Sequence, residues 1–353
     1  MPVEVMETLK RPPRLRPWLV GLVGVVLVVA VGWAIFWQLA ARQATLSLDA
    51  WITRERVFNR NWTCPDRRVT GFPFKIAIAC GKPHFEGMIF GRHYAGSLNG
   101  FVATAEFSHP SDVSIKVAPP FAVVSDDKTV DIDLAWNNLD VLLGGLLQNA
   151  PHVSIAGEGF SLRGHADQLG RLAGRARRAT ATFAPDAARH DHAMHFHVVL
   201  KDASVPAVDA FLRTTAPADS VADGDITQAS FDPGHSLAAT LDQWRAAGGH
   251  VELANFSVIR GETSFQAHGR LALNSAHRLD GQLDTQCVGF EPVLRRLGVD
   301  PGLITAGSLL ASLLGGGDDA KKGPQPLRLR VGFDGGRLSI GPVRTSIKLP
   351  PLY

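Results

Sequence analysis

The chain lacks most of the residue patterns that mark catalytic, metal-binding or nucleic-acid-binding proteins. Its 353 residues include three cysteines and two tyrosines, and the formal net charge is +3. G-x-S-x-G, H-E-x-x-H, P-loop and G-x-G-x-x-G motifs are missing from the sequence, and with them the common hydrolase, zinc-protease and nucleotide-binding signatures. So small a charge does not favour nucleic acid as a partner. We therefore expect no enzymatic activity, no cofactor and no nucleic-acid partner.

The three cysteines, Cys64, Cys80 and Cys287, form no C-x-x-C pair and no zinc spacing. In an oxidising compartment Cys64 and Cys80 are candidates for a disulfide, which would close a loop of about 15 residues and contribute ~3 kcal/mol in the chain-entropy model. Cys287 would lie outside that bridge. The alternative is three small buried apolar side chains.

Residues 18–41 carry no charge over 24 consecutive positions, and Gln38 is their one strongly polar side chain. A helix of this length, at ~1.5 Å per residue, crosses a hydrocarbon core ~30 Å thick. Trp18 near one end, and Trp33 and Trp37 toward the other, are placed as interfacial membrane anchors. A cleavable signal peptide is the alternative, but its apolar region is usually ~7–15 residues. We expect a retained signal-anchor helix.

The cations on the two sides of this helix favour a cytoplasmic N-terminus. The preference depends on how close they lie to the apolar run more than on their number. Lys10, Arg11, Arg14 and Arg16 lie just before the apolar run, whereas Arg42 stands alone directly after it. We expect a single-pass protein of the bacterial inner membrane, with its large domain in the periplasm.

The rest of the chain alternates apolar and polar residues with the period of two that predicts β-strands with one buried face. In residues 128–136, Val130, Ile132 and Leu134 alternate with Asp131 and Asp133. The same alternation recurs in residues 72–78, 194–200, 265–273 and 327–333. The predicted fold is mainly β (α+β), an elongated, curved and mostly antiparallel sheet with a few short covering helices.

The predicted organisation has four parts. They are a cytoplasmic segment (1–17), the transmembrane helix (18–41), a membrane-proximal helix (42–60) and the periplasmic β-rich domain (61–353), with a seam between two halves near residues 216–230. Short helices are expected at residues 236–247, 291–297 and 301–314, and a polar linker at 315–326.

Two polar clusters are candidate sites. The first contains His190, His192, His195 and His197, with Asp191 between the first two. His195 and His197 fall on the same strand face, so their imidazoles can share a metal ion, which Asp191 could join. The alternative is the polar face of a strand whose other face holds Met194 and Phe196, which we favour. Asp126, Asp127, Asp131, Asp133 and Asp140 form the second cluster. Paired carboxylates can perform acid–base chemistry, but a solvated face explains them more simply.

Several segments resemble an uncharacterised bacterial envelope family, the domain of unknown function 2125. They are the apolar helix that runs into Trp51, the GFPFKI block at 71–76, Trp244 with the following Gly248 and Gly249, residues 265–273 and 278–283, and the ending at 334–342 and 350–352. The resemblance implies a periplasmic domain anchored in the inner membrane, and it brings no catalytic residues. A shorter run is similar to AsmA-like envelope proteins, whose curved sheets hold lipid tails.

We therefore expect a non-enzymatic envelope protein that binds membrane lipid or maintains the envelope through an apolar β-groove. Small residues such as Ala77 and Ala79 opposite Ile76 and Ile78 suit a sheet that is covered on one side only. Against an open groove, the apolar helix predicted at 301–314 can fill it as ordinary core, which we favour because exposed apolar grooves are rare. The alternative function is a scaffold that binds another envelope protein.

Overall fold

The computed structural model describes residues 17–89, 91–147, 150–167, 170–229, 235–290 and 326–353. The helices predicted at 291–297 and 301–314 lie outside the described residues. The helices are α1 (Pro17–Val57), α2 (Pro206–Leu212) and α3 (Leu237–Ala246). The strands are β1 (Arg60–Thr63), β2 (Arg68–Thr70), β3 (Lys75–Gly81), β4 (His84–Ile89), β5 (Arg92–Glu106), β6 (His109–Ser125), β7 (Val130–Ala135), β8 (Asn138–Gly144), β9 (His152–Ala166), β10 (Gly170–Pro185), β11 (Met194–Ala203), β12 (Ala218–Ile226), β13 (His250–Arg260), β14 (Thr263–Leu273), β15 (Leu279–Val288), β16 (Leu327–Asp334), β17 (Arg337–Ile340) and β18 (Val343–Lys348).

The strands form one antiparallel meander. From β9 to β18, each strand pairs with the next one along the chain. Before β9, three strands of the meander are each broken in two: β1 with β2, β3 with β4, and β7 with β8. Both halves of the last pair, for example, bond to β6 on one side and to β9 on the other. The predicted mainly β, antiparallel fold is confirmed.

The breaks lie at neighbouring positions on successive strands. Between β7 and β8 stands Trp136, which is 6% exposed and donates its indole N–H to the carbonyl oxygen of Val117 on β6. Opposite, β9 contains Gly159 with φ +69°, a left-handed conformation that glycine adopts without steric cost. Such irregularities bend strands. Because they lie side by side, they bend the first half of the sheet along one line.

Helix α1 is a single 41-residue helix whose two halves have different surroundings. In the first half, apolar side chains such as Val28 are largely exposed. In the second half, Ala41 and Ile52 are buried, and Trp51 packs at a tilt against Trp62 of β1 with ring centroids 5.5 Å apart. The second half therefore packs along the β1–β2 edge of the sheet, while residues 21–32 of the first half are exposed.

Strand β12 lies within residues 216–230, where a seam between two halves is predicted. It pairs with β11 on one side and with β13 on the other, so the hydrogen-bond ladder continues through this region. The division of the domain into two halves stays a prediction.

Candidate functional site

One face of the sheet carries two continuous rows of apolar side chains, which we call the apolar face. Residues paired across neighbouring strands project to the same side of a sheet. The first row crosses thirteen strands and holds no polar side chain: Ile76, Ala105, Val113, Leu143, Val153, Phe183, Phe196, Gly224, Leu253, Gly269, Leu283, Val331 and Ile340. The second row crosses twelve strands: Ile78, Ala103, Ile115, Val141, Ile155, Ala181, Val198, Ala222, Phe256, Ala267, Thr285 and Leu329.

The apolar face is buried at its two lateral ends and half-buried in the centre. Ile76 is buried at one end, and Ala267 and Ile340 are buried toward the other. Between them, from β5 to β13, every residue of both rows is half-buried except Gly224, which is buried. Neither α2 nor α3 contains a buried residue, so these short helices do not seal the centre. Within the described residues, the apolar face is therefore an open surface in its middle part.

The opposite face is polar, as a sheet with one buried side requires. A row on that face runs through Thr104, Ser114, Leu142, Ser154 and Thr182 to His197 and Asp223, with Leu142 as its apolar member. The alternation predicted for residues 128–136 also holds, since Asp131 and Asp133 are exposed whereas Val130, Ile132 and Leu134 are half-buried.

The histidine cluster lies partly on this polar face and is matched by carboxylates from the next strand. The Nδ1 atom of His195 lies 3.0 Å from Oδ1 of Asp225, and that of His197 lies 2.8 Å from Oδ2 of Asp223. His190 and His192 stand exposed in the β10–β11 turn. In the described parts of the chain, no group of three or more histidine, cysteine or acidic residues has a metal-binding arrangement.

Arg189, close to the histidines in sequence, forms the centre of a larger ionic network. It donates to Asp191 and, at 2.6 Å, to Glu252 of β13. Glu252 also accepts hydrogen bonds from His250 and Arg270. The Arg189 hydrogen bond, followed by that of His250, lowers the pKa of Glu252 from 4.5 to about 2. The segment that contains Arg189 and Asp191 thus contributes to ion pairing between strands.

The aspartate cluster is divided among separate surroundings. Asp127 accepts hydrogen bonds from Ser125 and Thr129, which lower its pKa to about 2. Asp126 lies 2.9 Å from His93. Asp140 faces Lys116 across the β6–β8 pair and lines a cavity of about 640 Å³. The five carboxylates do not converge on one point, and Asp131 and Asp133 are exposed to solvent.

Cys64 and Cys80 are joined by a disulfide with a Cα–Cα distance of 5.5 Å. The bridge ties the break between β1 and β2 to the end of β3. Cys287 lies apart from them, buried beside Leu327 and Ile340.

The junction between α1 and the sheet is a feature that sequence patterns did not reveal. The indole N–H of Trp33 donates to the carbonyl oxygen of Pro73 at 2.9 Å, and that of Trp37 donates to the carbonyl oxygen of Lys75 at 2.8 Å. Phe107, in the β5–β6 turn, packs against Trp33 and Phe36 with ring centroids 5.5 Å away from each. Two turns of the sheet are therefore fastened to the helix at the tryptophans predicted as membrane anchors.

These features define a β-rich protein with one N-terminal helix that, in the described residues, is long and apolar enough to be a membrane anchor or a signal sequence. The chain belongs to the family described as an uncharacterized protein conserved in bacteria (DUF2125), whose model matches residues 37–347. No curated protein and no solved structure matches the chain. The resemblance to this family is confirmed, whereas the likeness to AsmA-like proteins stays a prediction.

Proposed function

We propose that this protein is a non-enzymatic, inner-membrane-anchored periplasmic protein that binds lipid acyl chains along its apolar face. The observation that carries the proposal is the continuous pair of apolar rows, which is half-buried from β5 to β13. At ~4.8 Å per strand, the longer row extends roughly 55–60 Å.

An acyl chain suits this surface better than a polar ligand does. Only Thr285 interrupts the two rows with a hydroxyl, and this hydroxyl donates to the carbonyl oxygen of Leu329. Burial of a methylene group against apolar side chains contributes ~0.8 kcal/mol without directional demands. A row without hydrogen-bonding side chains therefore has affinity for hydrocarbon and little selectivity for a headgroup.

The membrane anchor and the disulfide support the proposed location. Residues 21–32 of α1 expose their apolar side chains, as a lipid-facing helix does. The Cys64–Cys80 bridge suits an oxidising compartment, which for a bacterial inner-membrane protein is the periplasm. The four cations that precede the helix favour the same orientation.

Photo-crosslinking in native membranes tests the proposal at two adjacent valines. Val198 lies on the apolar face, and Val199 lies on the polar face of the same strand. A benzophenone amino acid is placed at each position in turn in the full chain, and the adducts are identified by mass spectrometry. We expect lipid adducts at position 198 and a several-fold lower yield at position 199.

Other adducts at position 198 would overturn the proposal in distinguishable ways. A crosslink within the chain to residues 301–314 would mean that the protein fills its own apolar face. A recurrent adduct with a second protein would favour the scaffold function instead. As an independent check, Val198→Asp should remove lipid that co-purifies with the chain, whereas Val199→Asp should retain it.

A further inference from the structure

Two turns at one end of the sheet, β2–β3 and β8–β9, expose large apolar side chains. Strand direction reverses at β2–β3, β5–β6 and β8–β9, and because the strands are antiparallel these three turns lie at the same end. Phe72 is 56% exposed and Phe74 is 75% exposed in the first of these turns. Leu146 is 47% exposed and Leu147 is 70% exposed in the third. We call these four side chains the apolar rim.

The rim is held at a defined height on α1. The hydrogen bonds from Trp33 and Trp37 fix the backbone of the first turn against the helix. Phe72 also packs edge-on against the Trp37 ring, with centroids 5.7 Å apart. The position of these tryptophans along α1 therefore sets the position of the rim.

The length of the apolar helix places those tryptophans at a membrane surface. Trp18 precedes Trp33 and Trp37 by a helical rise of about 22 and 28 Å at ~1.5 Å per residue. The hydrocarbon core is ~30 Å thick, and tryptophan rings concentrate at its two boundaries. If Trp18 lies at one boundary, Trp37 lies close to the other, and the rim lies at the same level.

We propose that the apolar rim inserts into the outer interface of the bilayer that α1 spans, and so presses this end of the sheet onto lipid. The inference rests on the membrane anchor of the proposed function and not on occupancy of the apolar face. The partner is the boundary between phospholipid headgroups and acyl chains, where burial of aromatic and aliphatic side chains away from water is favourable.

Two neighbouring features fit this partner. A cavity of about 520 Å³ lies between helix and sheet and is lined by Trp33, Phe74 and Phe107 together with the polar Lys75, Glu106 and Ser108. This lining combines aromatic rings with charged and polar side chains, as the interfacial region of a bilayer does. Ile76, the first side chain of the longer apolar row, follows Phe74 by two residues. The rim thus places the start of the apolar face beside the membrane.

The test measures the depth of single fluorophores in the full chain, reconstituted into vesicles of phosphatidylcholine and phosphatidylglycerol. An NBD label is attached at Phe74→Cys, Leu147→Cys, Val28→Cys or Lys128→Cys. Lys128 stands in the β6–β7 turn at the opposite end of the sheet and is the matched control. Labelling without reductant spares the Cys64–Cys80 disulfide, and unlabelled wild-type chain measures background reaction at the buried Cys287.

Quenching by lipids that carry a nitroxide on the acyl chain then reports the depth of each fluorophore. The shallow nitroxide is attached near the headgroup, and the deep one near the terminal methyl group. We expect position 74 and position 147 to be quenched several-fold more by the shallow nitroxide than by the deep one, position 28 to be quenched by the deep one, and position 128 by neither. Quenching at 28 but not at 74 would overturn the rim and leave the anchor intact. Quenching at 74 but not at 147 would overturn the contact for the β8–β9 turn. Absence of quenching at 28 would contradict the anchor itself.

Discussion

The indole N–H of Trp33 donates a 2.9 Å hydrogen bond to the carbonyl oxygen of Pro73, forty residues further along the chain. The bond joins the apolar helix to the first turn of the sheet. With the second bond, from Trp37 to Lys75, it fixes the sheet directly to the apolar helix. The orientation of the sheet relative to the helix axis is therefore set by these contacts and not by a flexible linker.

Removal of this donor should loosen the turn without removing the ring. In Trp33→Phe an aromatic side chain still contacts Phe36 and Phe107, but the Pro73 carbonyl loses its partner, at a cost of about 1 kcal/mol. We expect amide hydrogen exchange in residues 71–76 to accelerate roughly five-fold for local opening. A peptide over residues 128–136, at the far end of the sheet, serves as the control. Equal acceleration in both peptides would indicate global destabilisation instead.

The strands of this domain are readable in the sequence because each strand has one apolar and one polar face. Met194, Phe196 and Val198 fall on the apolar face as their spacing predicts, and His195 falls on the other. Period-two alternation fixes which side chains share a face, since it depends on the backbone of a single strand. The apolar helix is also predictable, because its signal is one continuous run of uncharged residues.

Contacts between distant segments were not readable. Nothing in residues 190–197 indicates that Asp223 and Asp225 lie opposite His197 and His195, because strand register depends on how whole strands pair. The same holds for Trp33 and Pro73. Cooperation between the exposed phenylalanines of residues 72–74 and the leucines of residues 146–147 becomes visible only when the meander places their turns at one end.

The Cys64–Cys80 disulfide should stabilise the edge of the sheet beside α1. It closes a loop between residues 16 positions apart, and the chain-entropy model gives ~3 kcal/mol for a loop of this size. We expect the double variant Cys64→Ala, Cys80→Ala to unfold at a lower urea concentration in detergent, followed by circular dichroism. Reductant should shift the wild-type midpoint in the same direction and leave the double variant unchanged. A reductant effect of equal size on both chains would contradict this assignment.

The ionic network around Glu252 should make stability depend on pH in the acid range. Its pKa is lowered from 4.5 to about 2 in the folded chain, chiefly by the Arg189 hydrogen bond. A lowered pKa stabilises the fold fully above the unfolded value near 4.5, and this contribution disappears as the pH falls toward 2. After allowance for solvent screening, we expect Glu252→Gln to lower the free energy of unfolding on the order of 1–2 kcal/mol at pH 6.

The difference between wild type and Glu252→Gln should shrink steadily between pH 4.5 and pH 2, measured by urea unfolding at each pH. Glu158→Gln is the matched control, because Glu158 forms an exposed ion pair with Arg178. Exposed pairs contribute ~0–1 kcal/mol. A Glu252→Gln effect that stays constant over this pH range would contradict the role of the ionised carboxylate.

The ion pair between Arg260 and Asp209 should be the most sensitive polar contact of the domain. Their side chains are only 6% and 14% exposed, and Asp209 also accepts a 2.6 Å hydrogen bond from Ser204. Asp209→Asn would leave the Arg260 guanidinium buried without a counter-charge, which typically costs about 3–5 kcal/mol. Asp284→Asn is the matched control, since Asp284 pairs with Arg330 at 55% and 66% exposure, where ~0–1 kcal/mol is usual. Urea midpoints should therefore fall much further for Asp209→Asn than for Asp284→Asn, and similar shifts would mean that solvent reaches Arg260 in spite of its burial.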